Sequence, residues 1–347
     1  MQLYDMQLLK KGKATDDEIR YILTTDDKNF VDELRKEAVK VTKRNYGNKI
    51  YIRGLIEFSN YCKEGCKYCG INRSNKEIDR YRLSKEEILQ SADIGYKMGF
   101  RTIVLQGGED PYFTDDIFVD IISSIKKQHP DTAITLSFGV RSKEAYKKFK
   151  NAGADRFLLR HESADEDCFN FIHPNDQSLA RRQKALFDLK ESGFQVGSGF
   201  LIGAPKAGIE TYIKDIHFLR ELNPHMIGIG PFIPQIDTEF RNYEKGDLST
   251  TLRLLAILRL EHPYALIPST TALNTIHEKG RILGIMSGAN VIMPNLSPEY
   301  ARKAYRLYDN KRNTGLECAD LVNELNSYLK EYGYEIEVSR GDYKQNG

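Results

Sequence analysis

The pattern of hydrophobic and polar residues changes near Gly47. Before it, "TDDEIRYILTT" and "DDKNFVDELRKEAVKVTKRNYG" carry apolar residues at three-to-four spacing, with acidic residues early and Gly47 as a stop. This predicts helices over the first fifty residues. After Gly47, short runs rich in β-branched and aromatic residues alternate with longer amphipathic segments.

The short apolar runs after Gly47 predict eight β-strands. Helical patterns such as "SKEEILQSADIGYKMGF" lie between them, and several end in Gly. This alternation predicts a parallel sheet, and eight such units over about 250 residues are typical of a (β/α)8 TIM barrel of the α/β class. A doubly wound open sheet is the alternative. The predicted strands are residues 50–58, 101–106, 133–138, 155–160, 195–202, 226–230, 265–270 and 290–294.

We predict one domain in three segments. Residues 1–48 form an N-terminal helical segment packed on the barrel, residues 49–310 form the barrel, and residues 311–347 add a C-terminal helix and a short extended end. No internal repeat, low-complexity segment or linker separates them.

Composition excludes several classes of function. The chain has 347 residues, 40% of them hydrophobic, and a net charge of +2, which is too balanced to indicate a nucleic-acid partner. No apolar run approaches the roughly 20 residues of a membrane span, and the N-terminus lacks the apolar stretch of a secretion signal. Five cysteines do not make a disulfide framework in so long a chain. We therefore expect a cytoplasmic protein that binds neither membrane nor nucleic acid.

Three of the five cysteines lie together, directly after the first predicted strand. Cys62, Cys66 and Cys69 follow a C-x3-C-x2-C spacing, on the barrel face where active sites lie. Buried core thiols would be a coincidence at this spacing. A zinc site needs a fourth ligand, and no further Cys or His lies within forty residues. A 4Fe–4S cluster bound by three thiolates would keep one iron open for a ligand, and we favour this interpretation.

The cysteine segment resembles the signature of radical S-adenosylmethionine (SAM) enzymes, in which an aromatic residue, here Tyr68, precedes the last cysteine. The resemblance implies one 4Fe–4S cluster whose open iron binds the amino and carboxylate groups of SAM. Reductive cleavage of SAM would then yield a 5′-deoxyadenosyl radical. Tyr68 would pack near the adenine.

Other segments extend this resemblance to the rest of a SAM site. "GGE" after the second strand is similar to the motif that meets the SAM amino group, although a lone Gly-Gly is also an ordinary turn. In "LLRHESAD", a salt-bridged rim is the alternative to a carboxylate that holds the SAM ribose. An arginine in "SLARRQ" would pair with the SAM carboxylate. We choose Arg181, and the neighbouring Arg182 is the alternative. The predicted SAM-binding residues are Tyr68, Gly107, Gly108, Glu109, Thr135, Ser137, Glu162, Arg181, Met226 and Gly230.

Longer motifs, among them "LQGGEDPYF", "RHE" and "STTALNT", resemble the HydE family of FeFe-hydrogenase maturases over residues 51–308. HydE is similar in architecture to biotin synthase and methylornithine synthase. The resemblance implies assembly of the hydrogenase diiron subcluster from a cysteine-bound Fe(CO)2(CN) complex, with radical attack at sulfur. It implies HydG, HydF and a ferredoxin or flavodoxin as partners. The candidate substrate residues are Gln106, Arg156, Arg160, Thr270, Thr271, Met293, Tyr305 and Tyr308.

Alternatives and departures remain at this stage. A methylornithine synthase-like mutase acting on an amino acid, a non-catalytic iron–sulfur scaffold and a zinc module are the other hypotheses. Cys318 is the single cysteine of the C-terminal region, so we expect no second cluster, and we expect Cys168 to be a buried thiol. Lys206 stands in "GAPKAG", where the family often has "GxPGQ".

Overall fold

The computed structural model describes residues 12, 14–312 and 314–344, so most of the first fourteen residues of the predicted N-terminal segment lie outside the described residues. Two helices precede the barrel, α1 (Asp16–Thr24) and α2 (Lys28–Tyr46). A capping box between Thr15 and Glu18 starts α1, and Gly47, at a φ of 65°, ends α2. The predicted helices between residues 15 and 47 are therefore confirmed.

A ring of parallel strands forms the centre of the molecule. Six strands pair in the order β2-β3-β4-β5-β6-β8, and every pair is parallel. Short strands extend this ring, with β10 and β11 beside β1 and β7 beside β9. The strands are β1 (Lys49–Ile52), β2 (Gly54–Ser59), β3 (Thr102–Gly107), β4 (Ala133–Ser137), β5 (Arg156–Leu158), β6 (Gln195–Ser198), β7 (Leu201–Ile202), β8 (Met226–Ile227), β9 (Gly230–Pro231), β10 (Val291–Ile292) and β11 (Glu335–Glu337).

Parallel bridges close the ring. Met226 pairs with Leu266, Pro268 with Val291, and Leu55 with Asn295. The segments around residues 266 and 292 are thus the seventh and eighth strands, and the last one returns to the first. The predicted eight-stranded barrel is confirmed, and the doubly wound open sheet is excluded because an open sheet has two free edges.

Helices cover the outside of the ring. Side-chain caps start most of them, as in α3, where Ser84 and Glu87 form a capping box. The helices after α2 are α3 (Lys85–Lys97), α4 (Asp115–Gln128), α5 (Lys143–Asn151), α6 (Glu166–Ile172), α7 (Leu179–Glu191), α8 (Ile209–Leu222), α9 (Leu248–Glu261), α10 (Thr271–Ile276), α11 (Gly280–Ile285), α12 (Glu299–Ala304) and α13 (Val322–Lys330).

The N-terminal helices pack on the barrel helices through shared apolar side chains. Ile19 and Ile22 of α1 lie in one buried cluster with Ile216 of α8, and Leu34 of α2 lies there with Leu255 of α9. Helix α9 is buried on nearly all sides as a result. No helix among the described residues is both long and apolar enough to cross a bilayer.

The C-terminal segment closes the opposite end of the barrel from the cysteines. After α13, β11 pairs in parallel with β1, and the chain then runs under the ring. There Arg340 pairs with Asp155 and Asp342, and its carbonyl accepts a hydrogen bond from buried Arg156. This leaves the carboxyl ends of the strands as the open face.

Candidate active site

The three cysteines line a cavity of about 300 Å³ at the carboxyl ends of the strands. They lie on the segment between β2 and α3, and each is half-buried. Tyr68 lines the same cavity and meets the edge of the His173 ring at 5.6 Å between centroids. The cysteine segment is therefore where a barrel enzyme has its active site.

The surroundings of the thiols suit iron-bound thiolates. The backbone N–H groups of Glu64 and Glu109 donate to Cys62 Sγ at 3.4 and 3.3 Å, and Gln177 Nε2 donates to Cys66 Sγ at 3.3 Å. Burial raises the pKa of Cys66 to about 12 and the pKa of Cys69 well above its usual value, so both thiols stay protonated until a cation replaces the proton. N–H donors aimed at sulfur are what stabilises cluster thiolates.

The cysteines do not converge on a single point. Within residues 12, 14–312 and 314–344, no three His, Cys, Asp or Glu side chains are placed to hold one metal ion. A zinc site needs such convergence, whereas a 4Fe–4S cluster takes each thiolate on a different iron. The three thiols, with N–H groups that donate to the sulfurs of Cys62 and Cys66, are donors that suit a 4Fe–4S cluster.

The two glycines after β3 allow the cysteine segment to pack against it. A Cβ on Gly108 would lie 2.2 Å from the Tyr61 carbonyl oxygen, and a Cβ on Gly107 would lie 2.5 Å from the Phe58 ring. Both residues line the cavity through their backbone. The prediction that they admit a ligand needs this correction: the atoms that exclude a side chain are protein atoms.

Glu109 brings a carboxylate to the cavity wall. Its Oε1 accepts a hydrogen bond from the Val140 N–H at 3.2 Å, and its Oε2 lies 3.5 Å from Lys63 Nζ. Burial raises its pKa, and the neighbouring Glu64 adds to the shift. A buried carboxylate in this state gains from an additional cation, such as the ammonium group of an amino acid.

The end of strand β5 carries a strained pair of charged residues. Glu162 has a φ of 67°, and its Oε2 lies 3.1 Å from Arg160 Nη2 without hydrogen-bond geometry. Arg160 Nε also has no partner. A left-handed non-glycine residue beside unsatisfied buried donors is a feature of functional sites, because the surrounding structure must hold it there.

His161, between these two residues, points away from the cavity and anchors them. It is fully buried, with Nδ1 2.9 Å from Ser198 Oγ and Nε2 3.1 Å from Asp215 Oδ1. Our sequence interpretation missed these partners, because the "RHE" motif signals only the histidine itself. Asp215 lies in α8 and meets it through the fold.

Of the two arginines considered for the SAM carboxylate, Arg182 lines the cavity and Arg181 does not. Arg181 is exposed on α7 and does not line the cavity. Arg182 lines it and donates from Nη1 to the Arg160 carbonyl at 2.9 Å. The correction is one residue along a helix, which rotates the side chain by about 100°.

The predicted residues divide into two groups by position. Those that line the cavity, besides the cysteines and Tyr68, are Gln106, Gly107, Gly108, Glu109, Ser137, Arg160, Glu162, Gly230, Thr270, Tyr305 and Tyr308. Those that lie elsewhere are Thr135, Arg156, Arg181, Met226, Thr271 and Met293.

Arg156 and Thr271 have partners that remove them from the cavity. Arg156 is fully buried at the closed end, where it donates to Thr102 Oγ1, Asp342 Oδ1 and the Arg340 carbonyl at 3.0, 2.6 and 2.8 Å. Thr271 donates to Glu317 Oε2 at 3.0 Å, outside the ring. We correct both assignments to structural roles.

Met226, Met293 and Thr135 lie deeper in the barrel than predicted. Met226 Sδ is 2.9 Å from Arg53 Nη1, and Met293 packs against the buried cluster that contains Met226. Thr135 is buried two residues before Ser137 on β4, and its hydroxyl has no partner. Met226 is the first residue of β8 and Thr135 lies two residues before the end of β4, so both lie nearer the amino ends of their strands than the cavity does.

Tyr305 and Tyr308 line the cavity from a loop rather than from a helix. Helix α12 ends at Ala304, so neither tyrosine lies on a helix, although their spacing of three residues would give them a common face on one. Lys311 in the same loop pairs with Glu57 of β2, which is fully buried. We missed this pair; the one charged residue within the apolar run "GLIEFS" was its signal.

Proteins of known function match most of this chain. The sequence matches the family model of the radical SAM superfamily over residues 56–219. It is 42% identical over 306 residues to the FeFe hydrogenase maturase subunit HydE of Thermotoga maritima, covering 88% of this chain and 87% of that protein. The chain belongs to the radical SAM superfamily. It is therefore an enzyme, and the predicted resemblance to HydE is confirmed.

Further matches cover most of this chain. The chain is 30% identical over 305 residues to the 3-methylornithine synthase of Methanosarcina acetivorans, covering 87% of this chain and 85% of that protein. The crystal structure of methylornithine synthase (PylB) superposes with a TM-score of 0.81 at 26% identity over 96% of this chain and 97% of the other. HydG from Carboxydothermus hydrogenoformans shares the fold, with a TM-score of 0.80 at 23% identity, over 96% of this chain and 78% of that one. Membership of the radical SAM superfamily implies a 4Fe–4S cluster and SAM.

Proposed function

We propose that this enzyme is a maturase of the HydE type, acting on a cysteine-bound Fe(CO)2(CN) complex in assembly of the FeFe-hydrogenase diiron subcluster. The observation that carries the proposal is the 42% identity to HydE along nearly the whole of both chains. That identity exceeds the 30% shared with methylornithine synthase over a similar length.

The cysteine end of the cavity is the proposed cluster and SAM site. Cys62, Cys66 and Cys69 would hold the cluster, which when bound and reduced supplies the electron that cleaves SAM to methionine and a 5′-deoxyadenosyl radical. The residues proposed to bind SAM are Tyr68, Gly107, Gly108, Glu109, Ser137, Glu162, Arg182 and Gly230. Glu109 suits the ammonium group of SAM and Arg182 suits its carboxylate, because each presents the opposite charge to the cavity.

The remaining cavity wall is the proposed substrate site. Arg160 keeps buried donors without partners, which favours an anionic ligand. Thr270 adds a hydroxyl, although that hydroxyl also accepts from the Leu273 N–H at 3.4 Å. Gln106, Tyr305 and Tyr308 complete the polar lining.

A methylornithine synthase-like activity on an amino acid is the second candidate. The close superposition with PylB over 97% of its chain supports it. The carboxylate of Glu109 and the guanidinium of Arg160 also suit an amino-acid zwitterion. Product analysis distinguishes the two candidates.

Partners and location follow from the proposal. A maturase of this type would receive its substrate from HydG, pass its product towards HydF, and take electrons from a ferredoxin or flavodoxin. These partners and the iron–sulfur cluster belong to the reducing cytoplasm, which is where we place the enzyme.

The test is a product assay on anaerobically reconstituted, reduced enzyme with SAM. We expect 5′-deoxyadenosine to form in step with consumption of a synthetic cysteine-bound Fe(CO)2(CN) complex. Methylornithine from added lysine would favour the second candidate over the first. A bound cluster with no SAM cleavage, whether the iron complex or lysine is added, would favour the scaffold hypothesis over both enzymatic candidates. Cys168→Ala, a buried cysteine outside the cavity, is the control and should behave as the parent enzyme does.

A further inference from the structure

The segment that holds the three cysteines has no helix or strand of its own. It runs from the end of β2 at Ser59 to the start of α3 at Lys85. Its backbone hydrogen bonds are scattered, as from the Arg73 N–H to the Glu64 carbonyl at 2.9 Å, so side chains must help to hold the thiols in a common geometry.

Arg80 donates more hydrogen bonds to backbone carbonyls than any other side chain that the structure describes in this segment. Its guanidinium donates to four backbone carbonyls: Nη1 to Asn60 and, at 2.8 Å, to Ile71, and Nη2 to Asn72 at 2.6 Å and Asn75 at 2.8 Å. Each carbonyl accepts a charge-assisted hydrogen bond, the stronger class of such bonds.

These carbonyls flank the cysteines on both sides. Asn60 stands two residues before Cys62, and Ile71 stands two residues after Cys69. Asn72 then donates to the Cys69 carbonyl from its backbone N–H at 3.0 Å and from Nδ2 at 2.7 Å. Arg80 thus joins the entry and the exit of the cysteine segment.

The same placement holds a positive charge beside the thiols. The guanidinium lies close enough to Cys62 and Cys69 to interact electrostatically with their thiolates. Arg80 itself is only partly buried and has no carboxylate among its hydrogen-bond partners, so its charge is not neutralised locally. A fixed cation near an iron–sulfur cluster stabilises the more negative, reduced form and raises the reduction potential.

We propose that Arg80 is a positioning residue for the cluster: it closes the cysteine segment by binding carbonyls on both sides, and its charge raises the reduction potential of the cluster. The proposal rests on the proposed function only in that the cysteines bind an iron–sulfur cluster. A purely structural arginine would fix the segment without changing the potential.

Two substitutions at Arg80 separate the effect of its hydrogen bonds to the cysteine segment from the effect of its positive charge. Arg80→Lys keeps the cation but loses the planar fork that reaches four carbonyls, and Arg80→Gln loses both. Lys76→Gln removes a charge from an exposed position of the same segment and is the matched control. The readouts are iron per chain, the rate of iron loss to a chelator, and the midpoint potential from an anaerobic redox titration, all without SAM.

Arg80→Lys and Arg80→Gln should both lose iron about tenfold faster than the parent, since each loses charge-assisted hydrogen bonds. Only Arg80→Gln should shift the midpoint potential to more negative values. Parent-like iron retention in Arg80→Gln, or an equal potential shift in Lys76→Gln, would overturn the proposal. Because no readout uses SAM, a parent enzyme that binds its cluster but never cleaves SAM would refute the proposed function alone.

Discussion

Two arginines at opposite ends of the barrel differ in how their hydrogen-bond donors are satisfied. At the closed end, Arg156 donates to Thr102, Gln195, Asp342 and the Arg340 carbonyl. At the open end, four residues along the same chain segment, Arg160 has two nitrogens without a hydrogen-bond partner.

The difference separates stability from function. Satisfied buried donors lower the free energy of the folded state, and the C-terminal segment supplies two of the four partners of Arg156. Unsatisfied donors cost free energy, and those of Arg160 lie at the cavity, where a ligand would satisfy them. Stability is therefore concentrated at the amino ends of the strands and chemistry at the carboxyl ends, as is general for this fold.

Removing a cluster ligand should abolish the chemistry at the open end of the barrel and leave the fold at the closed end intact. Cys62→Ala, Cys66→Ala and Cys69→Ala should each abolish iron binding and SAM cleavage, because the cluster needs all three thiolates. Iron analysis and circular dichroism measure the two effects. Loss of the folded spectrum together with iron would contradict the assignment of these cysteines to function.

Matched substitutions at the two arginines should give opposite results. Arg156→Met should lower the free energy of unfolding by about 3 kcal/mol, because it leaves buried partners unpaired. Arg160→Met should change stability little and slow substrate turnover by about tenfold or more.

Urea unfolding and initial rates on the same two preparations measure this pair. If Arg160→Met proved the more destabilising of the two, the division of roles between the ends would be wrong.

Glu162 offers a smaller test within the open end. Glu162→Gln keeps the shape of the side chain and removes its charge, and it should weaken SAM binding by about tenfold, the usual effect of losing one charged hydrogen bond. Calorimetric titration of the reconstituted enzyme measures the affinity. Glu166→Gln, at an exposed position on α6, is the control; equal affinities in the two variants would count against a SAM contact at Glu162.

The smallest expected effect concerns Lys206, the residue that stands where the "GxPGQ" motif has its second glycine. Lys206 has a φ of 67°, a conformation that suits the glycine of that motif, and its Nζ lies 4.5 Å from the Phe171 ring centroid. Lys206→Gly should raise the free energy of unfolding by about 0.5 kcal/mol, because relief of strain outweighs the lost contact.

Lys206→Ala is the control for that change, since it keeps the strain and loses the contact. It should be less stable than the parent in the same urea titration. A Lys206→Gly variant no more stable than Lys206→Ala would show that the backbone at this position is not strained.

Local patterns predicted the parts of the fold that depend on neighbouring residues. Period-two runs gave the eight strands, and capping residues and glycines gave most helix ends. The cysteine spacing and the "GGE" motif also lie on contiguous residues, so both placed their side chains at the cavity correctly.

Depth in the barrel could not be predicted in the same way. Arg156 begins β5 and Arg160 lies two residues after its end, roughly 13 Å further along the chain, and alternation alone does not predict which of them reaches the cavity. Which end is closed depends on Arg340 and Asp342, nearly two hundred residues away in the chain. The choice between Arg181 and Arg182 likewise depends on how α7 packs, not on its own sequence.

Electron paramagnetic resonance of the anaerobically reconstituted, reduced enzyme tests the central claim most directly. The account predicts the signal of a reduced 4Fe–4S cluster that changes when SAM is added, because the iron without a cysteine ligand takes up the amino and carboxylate groups of SAM. A cluster signal that SAM leaves unchanged, or no cluster signal from protein that retains all three cysteines, would contradict it.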